Sequence, residues 1–70
     1  RIIGIDPGLQ RTGWGVIDVS GNRLTHVAHG VVSSAPTAPL SARLATLFDG
    51  LTRIIHLHRP LEAAVEETFV

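Results

Sequence analysis

The chain has 70 residues, with six arginines balanced by six acidic residues, and no cysteine. A chain of this length forms at most one small domain, and without cysteine neither a disulfide framework nor a thiolate zinc site is available. Hydrophobic residues make up 44% of the chain, which predicts a folded core. No apolar run approaches the roughly 20 residues of a membrane span, and a signal peptide is not recognisable. We therefore expect a cytoplasmic protein with no membrane partner, although zero net charge gives no sign of a nucleic-acid-binding surface.

The first half of the chain predicts three short strands. Residues 1–6 form a β-branched run that ends at Pro7 and Gly8, which is typical of a buried strand followed by a turn. Residues 12–18 predict a second strand, and the turn-forming residues 20–22 connect it to a third strand over about residues 24–32. Because these connections are short, we expect antiparallel neighbours.

The second half predicts one helix and a fourth strand. After a loop over residues 33–39, apolar residues recur at three- and four-residue spacing, as in one face of a helix that ends near His58: Leu40, Leu44, Leu47, Phe48, Leu51, Ile54 and Ile55. Residues 61–65 then predict a strand, which a helical crossover would make parallel to the first. The order β-β-β-α-β predicts an α/β layer with a mixed sheet.

Two acidic residues are candidates for a metal site. If the first and fourth strands are parallel neighbours, Asp6 and Glu66 lie at the same edge of the sheet. Carboxylate oxygens on rigid strands suit Mg²⁺ or Mn²⁺, and a pair of such ions can hydrolyse phosphodiesters. Taken singly, Asp6 is more typical of a turn before Pro-Gly, and Glu66 with Glu67 could be the solvent-exposed start of a helix. Glu67 is the alternative to Glu66 if the strand register differs by one residue.

Three segments in order resemble the RuvC family of Holliday-junction resolvases: Ile-Gly-Ile-Asp-Pro-Gly at 3–8, Thr-Gly-Trp-Gly-Val-Ile at 12–17 and Val-Glu-Glu-Thr-Phe at 65–69. The resemblance implies a ribonuclease H-like fold and a magnesium-dependent endonuclease that cuts four-way DNA junctions in recombination and repair. It implies that Asp6 bridges the metal ions and that Glu66 is the acid following the fourth strand. In the family two further acids come from a C-terminal helix, so we expect residues 1–70 to be the N-terminal part of one nuclease domain, and inactive alone.

Three residues are candidate DNA contacts. Phe69 matches an aromatic residue that the family presents to the junction, and a base can stack on such a ring; its alternative role is in the core of a following helix. Arg11 could contact a phosphate or be an ordinary exposed arginine. Gly13, with Gly15, could let a DNA backbone approach, or could make room for Trp14 or a neighbouring strand.

The resemblance also implies partners. The family acts as a homodimer, because two symmetric cuts need two equal sites, and its protein partners are RuvA and RuvB. Two other classes share the glycine turn after the first strand: actin-like ATPases, whose turn binds ATP phosphates through backbone N–H groups, and YqgF-like modules without metal chemistry. The block at 65–69 has no place in the ATPase scheme.

The four histidines have unfavourable spacing for a metal site. His56 and His58 are two apart on the predicted helix and do not face one another. His26 and His29 are three apart on a predicted strand, which places them on opposite faces. We therefore expect none of them to be a metal ligand.

Overall fold

The computed structural model describes residues 1–67 and contains one helix and four strands within them. In chain order these are β1 (Ile2–Asp6), β2 (Arg11–Ser20), β3 (Arg23–Ser33), α1 (Leu40–His58) and β4 (Glu62–Val65). The predicted order β-β-β-α-β is confirmed. The second and third strands are longer than predicted, because the hairpin continues to a two-residue turn in which Gly21 has a φ of 59°.

The four strands form one mixed sheet in the order β3-β2-β1-β4. β2 is antiparallel to both β1 and β3, whereas β4 is parallel to β1. The register of the parallel pair places Ile5 opposite Val65. The helical crossover therefore has the effect predicted from the sequence: it returns the chain to the free edge of β1 in the same direction as β1.

The centre of the core is small and lies between the sheet and α1. Ile3 and Val16 are opposite one another on β1 and β2, and both are fully buried, as is most of Leu47 on the helix. The helix ends where Arg59 adopts a left-handed conformation (φ 50°) and its N–H donates to the carbonyl of Ile55. Pro60 follows and cannot extend the helix.

The apolar face of α1 is only partly covered by the sheet. Leu40 and Leu44 are 50% exposed and Phe48 is 70% exposed. The helix packs mainly against β3. Its apolar face is wider than this contact, so the residues at one side of that face remain exposed to solvent. Among residues 1–67, no helix is long and apolar enough to cross a membrane.

Arg1 joins three elements at the end of the sheet remote from Asp6. Its guanidinium donates two hydrogen bonds to the carboxylate of Asp18, at 2.9 and 3.1 Å, and one to the carbonyl of His58 at the end of α1. The hydrogen bonds from Arg1 lower the pKa of Asp18, and Asp18 in turn raises the pKa of Arg1. Both groups are solvent-exposed, so the pair orients these elements more than it stabilises them.

The prediction that His26 and His29 point to opposite faces is wrong. Val16 is opposite Ala28 but the next residue, Ile17, is opposite His26, so Val27 is an extra residue in β3. Such a bulge adds one step to the alternation of side chains, and residues three apart then share a face. His26 Nε2 and His29 Nδ1 are 2.9 Å apart.

Gly50 of α1 packs tightly against Val32 of β3, and this contact generates a stability prediction. A Cβ atom on Gly50 would collide with Cγ1 of Val32, and a β-branched side chain cannot easily move aside. Gly50→Ala normally stabilises a helix by about 1 kcal/mol. Here we expect destabilisation by about 1–3 kcal/mol through overpacking, measured by chemical denaturation of the full-length protein.

The matched control for Gly50→Ala is the same substitution combined with Val32→Ala. Removing the two methyl groups should restore part of the lost stability, so the double variant should be more stable than the sum of the single variants predicts. A stabilising Gly50→Ala substitution, or strict additivity, would contradict the close packing of α1 on β3.

Candidate active site

Asp6 and Glu66 lie side by side at the ends of adjacent parallel strands. Asp6 is the last residue of β1, and Glu66 directly follows β4. The N–H of Glu66 donates to the carbonyl of Ile5 at 3.0 Å, so the parallel hydrogen-bond ladder extends to this position. Both acids are exposed. This juxtaposition, predicted from the topology, follows from the register of the two strands.

Glu67 follows Glu66 by one residue and is also exposed. In an extended backbone neighbouring side chains project to opposite faces, so with Val65 opposite Ile5 it is Glu66 that comes beside Asp6. No group of three or more His, Cys, Asp or Glu residues suited to a metal ion occurs within residues 1–67. The described part of the site therefore contains two acids, and the roles of Asp6 and Glu66 stay predictions.

Neither carboxylate has a protein cation beside it in the described part of the chain. The ion pair found within residues 1–67 joins Arg1 to Asp18, at the opposite end of β1. Asp6 also lacks a side-chain hydrogen bond there of the kind that an aspartate makes when it initiates a turn. Two adjacent carboxylates repel one another unless a cation lies between them, and oxygen donors on strand ends suit Mg²⁺ or Mn²⁺. The donor set therefore fits a hard divalent ion.

A shallow groove leads away from the two acids across the open face of the sheet. Its floor consists of small residues on three strands, and the groove is lined by Gly4, Gly13, Gly15 and Ala64 together with Asp6 and Glu66. A Cβ atom on Gly13 would lie 3.9 Å from the Cβ of Asp6, and one on Gly15 would meet nothing within 4 Å. These glycines leave space above the sheet, which an approaching ligand could occupy.

The room for Trp14 comes from a different glycine. A Cβ atom on Gly30 would lie 2.9 Å from the indole ring, so Trp14 covers Gly30 on the neighbouring strand. The ring of His58 on α1 lies 5.6 Å from Trp14, between centroids, which places the indole on the helix side of the sheet. Gly13 and Gly15 are thus not needed to accommodate Trp14. Gly30 was not predicted to have this role, because its pairing with Trp14 depends on the register of β3.

Thr12 closes the turn that follows Asp6. Its hydroxyl lies 3.0 Å from the carbonyl oxygen of Gly8 and 3.2 Å from the nitrogen of Gly8. Thr12 is 2% exposed, and a side chain on Gly8 would collide with the carbonyl of Arg11. The Gly8 N–H is therefore engaged within the turn. Thr12 was not predicted as a site residue, because a threonine shortly after a Pro-Gly turn is too common in sequences to indicate a function.

Of the two other residues predicted to contact DNA, Arg11 lies within the described part of the chain and Phe69 does not. Arg11 is exposed and is the first residue of β2, two positions before Gly13. Phe69 lies outside the described residues 1–67. The structure therefore brings together Asp6, Glu66 and Gly13, with Arg11 at the start of the strand that carries Gly13.

A family model and individual relatives identify the same protein family for this chain. The family model described as crossover junction endodeoxyribonuclease RuvC matches residues 2–70. The crossover junction endodeoxyribonuclease RuvC of Afipia carboxidovorans is 66% identical over the whole chain, and that of Caulobacter vibrioides is 57% identical. In both cases the chain spans 41% of the relative's length.

Solved structures agree with the sequence matches. The chain superposes on Thermus thermophilus RuvC with a TM-score of 0.85 at 32% sequence identity, covering 99% of this chain and 43% of that one. The T. thermophilus RuvC in complex with a Holliday junction substrate superposes with a TM-score of 0.86 over the same shares. The fold is thus the ribonuclease H-like one that the resemblance implied. The chain belongs to the RuvC family of crossover junction endodeoxyribonucleases.

Proposed function

We propose that the full-length protein is a structure-selective endodeoxyribonuclease that resolves four-way DNA junctions by metal-dependent hydrolysis of phosphodiester bonds. The observation that carries the proposal is the placement of Asp6 and Glu66 at the ends of two paired parallel strands. Relatives that match the whole chain bear the name of this activity, and one solved relative is bound to a Holliday junction. The function would serve DNA recombination and repair in the cytoplasm.

Asp6 and Glu66 would hold the metal ion, for which we propose Mg²⁺, with Mn²⁺ as a substitute. Bound there, the ion would polarise a phosphate oxygen and help to generate the attacking hydroxide. The two carboxylates would contribute negative charge at fixed positions. Asp6 is the last residue of β1, and the backbone of Glu66 is hydrogen-bonded to β1 beside it. Because a two-metal site needs more ligands than two carboxylates, we expect residues 1–70 alone to bind Mg²⁺ weakly and to leave junctions uncut.

The groove beside the acids would accept the DNA backbone. Gly13 and Gly15 keep its floor low, and Arg11 is exposed at the start of the same strand. A guanidinium at that position can donate hydrogen bonds to phosphate oxygens. Phe69 would stack on a base near the cleavage point. Backbone contacts of this kind position the strand without reading its sequence.

The two alternative functions lack support. An actin-like ATPase would need free backbone N–H groups in the turn after β1, but the N–H of Gly8 faces the hydroxyl of Thr12. A YqgF-like module without metal chemistry would not need an acid at both Asp6 and Glu66. The family match over residues 2–70 favours the resolvase.

By family resemblance we also propose a homodimer, with RuvA and RuvB as partners. A two-fold dimer presents two equal sites, and a four-way junction requires two symmetric cuts.

The direct test is cleavage of a labelled four-way junction by the full-length protein, with and without Mg²⁺, beside linear duplex DNA and ATP hydrolysis. We expect paired symmetric nicks only with the metal ion. Asp6→Asn keeps the side-chain shape and removes its charge, so junction binding should persist. Because metal stabilisation of the transition state is worth several kcal/mol, cleavage should fall by about a thousandfold.

The matched control is Asp49→Asn, which makes the same charge change at an exposed position of α1. Its cleavage rate should equal that of the unsubstituted protein. Turnover of ATP without any DNA cleavage would reject the resolvase proposal. Equal loss of binding and cutting in Asp6→Asn would assign Asp6 a structural role instead.

The two adjacent glutamates provide a test of the strand register. Glu66→Gln should abolish cleavage, since Glu66 lies beside Asp6, whereas Glu67→Gln should retain cleavage within about a factor of three. The rate of junction cutting at saturating Mg²⁺ measures the difference. If Glu67→Gln is the inactive variant, the register inferred for the site is wrong.

The groove proposal predicts an effect of adding a side chain to Gly13. Gly13→Val suits a strand but fills the space beside Asp6, so we expect junction affinity to fall at least about tenfold, or 1.4 kcal/mol. Binding is measured by fluorescence anisotropy without metal ions, and stability by thermal unfolding. Thr25→Val, on exposed β3 away from the groove, is the control. Unchanged affinity for Gly13→Val would place the DNA elsewhere.

A further inference from the structure

The β-bulge at Val27 creates a histidine pair that the sequence spacing does not predict. His26 Nε2 and His29 Nδ1 lie 2.9 Å apart, and the ring centroids are separated by 5.1 Å. Both side chains are exposed on β3, which is an edge strand of the sheet in the described part of the chain. His29 is opposite Gly15 and His26 is opposite Ile17, so both rings lie on the face of the sheet turned away from α1.

The separation of the two nitrogen atoms matches the bite of a metal chelate. Ligand nitrogens about 2.0–2.1 Å from an ion and 90° apart lie about 2.9 Å from each other, as in square-planar or octahedral sites. Imidazole is a preferred ligand of borderline divalent ions, and tetragonal nitrogen sites favour Cu²⁺ or Ni²⁺. Without an ion, one ring can donate its N–H to the other. Binding would replace this hydrogen bond, and both rings would have to turn, because their nitrogens point at each other in the hydrogen bond and at a common ion in the chelate.

We propose that His26 and His29 form a two-histidine binding site for a divalent transition-metal ion, with Cu²⁺ and Ni²⁺ as the fitting ions. The sheet holds both residues on one edge strand, so little chain entropy is lost when the second ring binds. No third His, Cys, Asp or Glu residue joins the pair within residues 1–67. Water molecules would therefore occupy the remaining coordination positions of the ion.

The pair is distinct in place and in chemistry from the carboxylate site. Asp6 is opposite Gly13 on β2, whereas the histidines are opposite Gly15 and Ile17 on the other side of that strand. Carboxylate oxygens prefer Mg²⁺ or Mn²⁺, while imidazole nitrogens bind these ions poorly. The two sites should therefore fill independently, and saturating Mg²⁺ should leave the histidine pair free.

Isothermal titration calorimetry of the full-length protein with Ni²⁺, in the presence of excess Mg²⁺, tests the proposal. We compare the unsubstituted protein with His26→Asn and His29→Asn, and use His56→Asn, an exposed histidine of α1, as the matched control. Each of the first two substitutions should remove one binding event or weaken it at least about tenfold, because a single imidazole cannot chelate. His56→Asn should leave the titration unchanged.

A second measurement does not depend on variants that fold. In nitrogen-15 spectra of the unsubstituted protein, paramagnetic Ni²⁺ added in small amounts at saturating Mg²⁺ should broaden the ring-nitrogen signals of His26 and His29 together, before those of His56 and His58. Titrations that are the same for His26→Asn, His29→Asn and the unsubstituted protein would overturn the proposal. So would spectra in which Ni²⁺ does not broaden the signals of the two rings, and the pair would then be only a hydrogen bond across the bulge.

Discussion

The parallel pairing of β4 with β1 is the constraint on which the candidate site depends. The two strands are separated by the meander and by a helix of 19 residues, yet their register places Val65 opposite Ile5. The hydrogen bond from the Glu66 N–H to the Ile5 carbonyl then extends the ladder by one residue. Two acids that are 60 positions apart in the sequence thereby come to one edge of the sheet. If the register of β4 shifted by one residue, Glu67 would replace Glu66 beside Asp6.

The opposite faces of the sheet have different tasks. One face carries the fully buried Ile3 and Val16 and packs against α1. The other face carries the acids, the glycine groove and the histidine pair, and its small residues leave space above the strands. Strand alternation explains this division, because residues two apart share a face. The chain spans 41% of the length of these relatives. Within residues 1–67 the two carboxylates have no protein cation beside them. Within the same residues, the exposed flank of α1 has no apolar partner.

Much of the fold could be predicted because it depends on local patterns. Pro7-Gly8 and the turn at Gly21 delimit strands, the three- and four-residue spacing marks α1, and short connections imply antiparallel pairs. The placement of Asp6 and Glu66 at one edge followed from the parallel direction that a helical crossover gives to the strands it joins. These inferences need no knowledge of how side chains pack.

What the sequence did not reveal depends on register between strands. The bulge at Val27 brings His26 and His29 together, but a bulge is defined only against its partner strand, so strict alternation predicted the wrong faces. Gly30 makes room for Trp14 for the same reason. The exposure of Phe48 was missed because periodicity identifies an apolar face without showing how much of it the sheet covers.

The most direct test of the central claim is a crystal structure of the full-length protein with Mn²⁺, whose anomalous scattering locates the ion. Our account predicts an ion bound by carboxylate oxygens of both Asp6 and Glu66, at about the 2.0–2.2 Å typical of hard divalent ions. An ion held by Glu67, or by acids that do not include Asp6, would contradict the register and the site built on it.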